Sequence, residues 1–164
     1  MRYVVDTNFF ITAHRQHYPF DVVKSFWEKV GYLASEDLIL SIDKVKSEIF
    51  KNNDYLRAWC DDYLPSGFFC DSSVCYDQYV NMMSWASSKS NHYNTNAIAE
   101  FADSANADPF LISYTLSDKS NLKLVTYEVK DGSKKKIKIP DPCDDHGVEY
   151  LTPIQMFREL GISF

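Results

Sequence analysis

The chain has 164 residues, 45% of them apolar, and a formal net charge of -6. This is the length and composition of a single domain, residues 1–164, with a sizeable core, so a disordered or multidomain reading fails. The acidic balance disfavours broad non-specific binding to nucleic acid, although a nucleic-acid enzyme whose metal ions neutralise an acidic pocket stays open. No stretch approaches the uncharged ~20 residues of a membrane helix, and no charged leader precedes an apolar segment, so the sequence predicts a cytoplasmic protein without a membrane partner. Cys60, Cys70, Cys75 and Cys143 form no CxxC pair and have no paired histidine nearby, which points to free thiols rather than zinc ligands or disulfides.

The first strand is expected from about Tyr3 to Asp6. Val4-Val5-Asp6-Thr7-Asn8 is an apolar run that stops at an acid and two small polar residues, as a buried parallel strand does when its carboxyl end carries a functional group. In open α/β sheets the ligand crevice lies beyond those ends, which makes Asp6 the first catalytic candidate, with turn or helix capping as the plain alternative. A helix follows, with Val22, Val23, Phe26, Trp27, Val30 and Leu33 at three- and four-residue spacing, and then a second strand, Leu38 to Ile42. Strand, helix, strand is the opening of a parallel sheet. Asp43 or Ser41 is placed to cap the next helix, through Val45 and Ile49.

The region from about Asn52 to Tyr93 reads as helical and rich in aromatic residues, which serve core and lid packing better than base stacking. Helical periodicity resumes at Ala97, Ile98 and Phe101 and again from Phe110 to Leu116. Leu122 to Thr126 reads as a third buried strand and Gly147 to Leu151 as a fourth. A last helix runs from Thr152-Pro153 to Leu160 and stops at Gly161.

Several further acids fall at informative places. Glu48 borders the inward stripe of its helix, where it either joins a site or pairs with Lys44 at the i-4 position. Asp108 before Pro109 has the grammar of an N-cap, and an acid there is also well aimed at a metal. Thr126-Tyr127-Glu128 closes the third strand much as Asp6-Thr7-Asn8 closes the first.

Asp6-Thr7-Asn8, Ser47-Glu48-Ile49, Ala107-Asp108-Pro109-Phe110 and Leu124-Val125-Thr126-Tyr127-Glu128 occur in the order seen in PIN-domain nucleases, the family of the VapC ribonuclease toxins. The chain resembles that family over nearly its whole length. Lys138 to Cys143, Gly147 to Glu149 and Phe157 to Gly161 resemble a less characterised PIN-like branch. The resemblance implies a three-layer α/β/α sandwich around a mainly parallel sheet of four or five strands. It also implies that Asp6, Glu48 and Asp108 are the family acids, with Glu128 where many members carry an aspartate and Asn8 and Thr126 lining the pocket. Asp103 lies close in sequence to Asp108 without matching a ligand position.

Acidic oxygen ligands select Mg²⁺ or Mn²⁺, one or two ions, which can activate water and stabilise the leaving oxygen of a phosphodiester. The expected activity is therefore metal-dependent cleavage of RNA, by the toxin of a toxin-antitoxin pair, with an antitoxin and a second copy of the chain as candidate partners. A PIN-like module that binds RNA or protein without catalysis is the alternative. A haloacid dehalogenase phosphatase would need an acid where Asn8 stands, and phosphate-cradling nucleotide folds need clustered glycines that this chain lacks. Lys134, Lys135, Lys136 and Lys138 either contact RNA phosphates or protect a solvated strand edge. Arg15, Lys44 and Lys46 are the next candidates for an RNA track.

Overall fold

The computed structural model describes residues 1–164. Five strands, β1 (Arg2–Val5), β2 (Ile39–Ile42), β3 (Phe69–Cys70), β4 (Leu122–Val125) and β5 (Tyr150–Leu151), form one all-parallel sheet in the order β3-β2-β1-β4-β5. Every residue of β2 is buried, as is all of β1 after Arg2. Strands of this kind are covered on both faces, which is why they read as continuous apolar runs.

The strand order dictates where the helices go. Successive right-handed crossovers from β1 to β2 to β3 move one way along the sheet, and the return past β1 to β4 and β5 moves the other way. Helices in the two halves therefore cover opposite faces, giving a three-layer α/β/α sandwich. The first half supplies α1 (Thr7–Thr12), a π-helical turn at Ala13–His17, α2 (Lys24–Ser35), α3 (Asp43–Ile49) and α4 (Tyr55–Tyr63). The second supplies a 3₁₀ turn at Ser72–Cys75, α5 (Tyr76–Ser88), α6 (Thr95–Ala102), α7 (Asp108–Ser117), α8 (Pro140–His146) and finally α9 (Pro153–Glu159). The last helix returns to the first face, where Phe157 meets Phe9 and Phe26 at ring-centroid separations of 6.4 and 6.0 Å.

Local chemistry explains the boundaries. Phe26, Trp27, Val30 and Leu33 of α2 are buried as the spacing predicts, joined by Ala34, whereas Val22 is exposed and, with Val23, lies before the helix, which starts only at Lys24. Thr152 and Gln155 form a reciprocal capping box that starts α9. Gly147 ends α8 in the left-handed conformation, at φ 68°, which a glycine adopts without steric cost. All four cysteines are free. No helix is long and apolar enough to cross a membrane.

Three elements exceed the sequence-based expectation. The helix after β1 is two helical segments and not one, because α1 starts directly on Asp6 and a turn from Tyr18 separates its π-helical extension from α2. The strand β3 spans only Phe69–Cys70, too short for periodicity to reveal inside an aromatic-rich stretch. Helix α8 is likewise short, with two prolines in Pro140-Asp141-Pro142 that read as a turn.

Candidate functional site at the switch point of the sheet

In the order β3-β2-β1-β4-β5 the chain reverses its lateral direction between β1 and β4. In doubly wound sheets the ligand crevice lies outside the carboxyl ends at such a point, because the loops leaving the two strands turn to opposite faces. The register pairs Val5 with Val125, so the next residue on each strand, Asp6 and Thr126, flanks that crevice. Both are buried.

Asp6 serves two neighbours at once. Its Oδ1 accepts from the Phe9 amide at 2.8 Å, which caps α1, and its Oδ2 accepts from the Thr126 hydroxyl at 2.8 Å. Thr126 Oγ1 in turn accepts from the Glu128 amide at 3.1 Å, which fixes the turn out of β4. Burial raises the Asp6 carboxyl from 3.8 to about 7, against the lowering effect of the Thr126 and Phe9 bonds and with added repulsion from Glu128 and Glu48.

Asp108 is the second raised acid. It occupies the first turn of α7 and is not the cap residue; the cap position is Ala107, and Asn106 Oδ1 accepts from the Asp108 amide at 3.0 Å. The cap expectation fails because Asn106 performs that local bonding, which leaves the Asp108 carboxyl free to face the other acids. Burial, then repulsion from Glu128 and Asp6, pushes it from 3.8 up to about 8, with Lys136 pulling the other way. The repulsion felt by these two carboxyls puts Asp6, Glu48, Asp108 and Glu128 in one electrostatic neighbourhood.

Glu48 reaches the cluster from α3. Its Oε2 accepts from the Thr7 hydroxyl at 2.5 Å and its Oε1 from the Ala107 amide at 3.0 Å. It thus ties the start of α1 to the start of α7, and it makes no ion pair with Lys44. The Lys44 ammonium lies 4.6 Å from the Phe110 ring centroid and donates to the Ser104 carbonyl at 3.4 Å. Nor do Ser41 and Asp43 cap α3: Ser41 donates to the Val5 carbonyl at 2.7 Å, and Asp43 Oδ1 accepts from the Lys44 and Ser72 amides.

Glu128 is held by the segment that follows it. Its Oε2 accepts from the Ile139 amide at 2.7 Å, and the Lys136 ammonium lies 3.2 Å from its Oε1. Lys138 pairs with Asp131. Lys134 and Lys135 are exposed and make no ion pair, so of the four lysines only these two are free for a partner. Asn8 is exposed and makes no hydrogen bond to the acids, while Thr126 is fully buried and donates to Asp6. Asp103 is exposed in the turn after α6 and accepts from the Ala105 amide at 2.9 Å.

Sequence reasoning missed two charges near the cluster. Glu100, exposed on α6, acts on Lys136, and Lys136 itself belongs to the acids and not to the free lysine run. On α8 the buried Cys143 thiol is driven well above its usual range by burial, then by Asp144, Glu128 and Asp108. It stays protonated and is no thiolate ligand.

The donors are carboxylate oxygens, a set that suits Mg²⁺ or Mn²⁺ and not zinc. Each oxygen that accepts one hydrogen bond keeps a second lone pair for a cation. No three Asp, Glu, His or Cys side chains converge at metal-holding spacing in this conformation. A separate groove of about 540 Å³, lined by Phe20, Trp27, Tyr32, Tyr55, Trp59 and Tyr63, lies between α2 and α4 and contains none of the strand-end acids.

The sheet order and the acidic side chains define a doubly wound α/β protein with a buried aspartate, Asp6, and three partly buried acids near its switch point. The chain belongs to the family described as a domain of unknown function (DUF4411), which matches residues 3–164. Comparison with curated proteins and with solved structures gives no match.

Proposed function

We propose that the chain is a metal-dependent endoribonuclease of the PIN type that hydrolyses RNA phosphodiester bonds in the cytoplasm, as the toxin of a toxin-antitoxin pair. The observation that carries the reading is the buried Asp6 at the switch point of a doubly wound sheet, held by the Phe9 amide and the Thr126 hydroxyl, with Glu48 bridging the starts of α1 and α7. Burial first, and neighbouring carboxylates after it, favour the protonated forms of Asp6 and Asp108, and a divalent ion would supply the compensating charge.

Asp6, Glu48, Asp108 and Glu128 would hold Mg²⁺ or Mn²⁺, one or two ions, which would supply a more acidic water and charge stabilisation on the phosphodiester. Thr126 and the Phe9 amide fix the Asp6 carboxylate, so its orientation is set before any ligand arrives. Glu48 fixes the relative placement of the first turns of α1 and α7 through Thr7 and Ala107. Lys134 and Lys135 are the free cations available to RNA phosphates. An antitoxin protein and a second copy of the chain are the partners this reading expects.

A second reading has its own support. Both Glu128 oxygens already have partners and no metal-holding trio is assembled, which is what a non-catalytic RNA- or protein-binding member would look like. Cleavage separates the two. End-labelled RNA incubated with Mn²⁺ is cut by the wild-type protein and not by Asp6→Asn of equal folded content; equal cutting by both removes the assignment, and no cutting by either favours the binding module.

A further inference from the structure

The segment from Thr126 to Ile139 crosses from β4 to α8 without regular structure, yet it is firmly tied down. Ile139 donates to Glu128 across the base of the loop, and the Asn94 amide donates to the Lys134 carbonyl at 2.8 Å. Ile137 and Ile139 are buried on either side of Lys138, which pairs with Asp131. Lys136 sits between these anchors, half-buried, with its ammonium 3.2 Å from Glu128. Its neighbours Lys134 and Lys135 point into solvent. Of the four lysines Lys136 is the one whose ammonium meets a strand-end acid, Glu128.

We propose that Lys136 is a positioning residue, the built-in counter-ion of Glu128 in the carboxylate cluster: its ammonium holds that carboxylate in the metal-free site and must yield that place when a divalent cation enters. The second half of this proposal rests on the metal reading above; the first does not. The contact is direct, with the ammonium 3.2 Å from Glu128 Oε1 and the Glu128 side chain only 13% exposed, and the Ile139 amide holds the other carboxylate oxygen at 2.7 Å. A buried carboxylate needs a cation partner, and a lysine on a four-carbon stem supplies one that can swing away without moving the backbone.

The test is a thermal melting cycle on the full chain, stripped of metal at pH 8, with Lys136→Met, Lys136→Arg, Glu128→Gln and the Lys136→Met/Glu128→Gln pair. Methionine keeps most of the stem and removes the charge. Lys136→Met lowers the melting temperature by several degrees, Lys136→Arg restores most of it, and the drop shrinks by at least half when Glu128 is already neutral. A calorimetric titration with Mn²⁺ alone then finds binding about tenfold tighter to Lys136→Met than to wild type, because the competing charge is gone. A drop in melting temperature of equal size in both backgrounds, or none, overturns the counter-ion. Unchanged or weaker Mn²⁺ binding by Lys136→Met, where wild type binds, overturns the displacement. If neither protein binds Mn²⁺, the metal reading and the displacement both fall, and the melting cycle still decides the counter-ion by itself.

Discussion

The two ends of β1 carry the same kinds of residue in opposite electrostatic states. At the amino end Arg2 pairs with Asp37 at 3.1 Å, the Tyr3 hydroxyl donates to Glu159 at 2.7 Å, and Lys123 bridges Glu159 and Glu149 at 3.1 and 3.5 Å. Each acid there has a donor, and the Tyr3 bond followed by Lys123 holds Glu159 below its usual range. At the carboxyl end the one ion pair among four acids is Lys136 with Glu128 at 3.2 Å, and burial first, then neighbouring carboxylates, raises Asp6 and Asp108. The amino end has each charge answered by a partner. The carboxyl end leaves two acids in the state that perturbed functional carboxyls share, and the proposed function reads it so.

Breaking the crowded end has the largest expected effect. Asp6→Asn retains the oxygen that caps α1, so it leaves the fold intact, and in an assay of labelled RNA with Mn²⁺ it lowers the rate at least about 100-fold. Glu128→Gln is milder, at about 10-fold, because this longer side chain is already shared with Lys136 and Ile139.

The next effect is on stability and its sign separates the two ends. Between about pH 4 and about pH 8 the unfolded chain has released protons that folded Asp6 and Asp108 keep, since their folded values are raised from 3.8 to about 7 and about 8. The metal-free protein therefore loses stability as pH rises through that window. Asp108→Asn removes part of the slope and raises the metal-free melting temperature at pH 8. Glu159 works in the opposite sense: its folded value is lowered, so its contribution is present above its ordinary value of 4.5 and is lost only as pH falls below it. Glu159→Gln lowers the melting temperature slightly at pH 8, leaves RNA cleavage unchanged, and leaves the slope above pH 5 intact. Melting curves at several pH values for the two variants check both signs.

The contrast between the ends was partly legible in the sequence. An apolar run stopping at Asp6 marked the end of a buried strand, and Thr126-Tyr127-Glu128 marked its neighbour, because buried parallel strands write their ends as abrupt changes of polarity. What the sequence could not convey is that β1 and β4 are adjacent, since adjacency depends on a chain reversal that only the sheet order reveals. The pairing of β3 was hidden because two residues carry no period. Asp108 followed by proline read as a cap, and only the Asn106 bond shows that the cap lies elsewhere. The four-lysine run looked uniform, although Lys136 pairs with Glu128 and Lys138 with Asp131 while Lys134 and Lys135 stay exposed without ion pairs.

That division yields the smallest expected effect. In an Asp6→Asn background, replacing Lys134 and Lys135 by Ser flattens the plot of log RNA affinity against log salt by roughly 0.7 for each phosphate that the protein no longer neutralises. A slope that does not change would give these lysines to the solvated loop and move the search for the RNA track to Arg15, Lys44 and Lys46.

The claim that the carboxylates are crowded for a cation is tested most directly by melting the wild-type protein and Asp108→Asn at pH 8 with and without Mn²⁺. The account predicts that Mn²⁺ stabilises the wild type by several degrees, since it binds only the folded form, and stabilises the variant little, although the variant starts higher. A wild-type melting temperature indifferent to Mn²⁺, or an equal gain in both proteins, would contradict it.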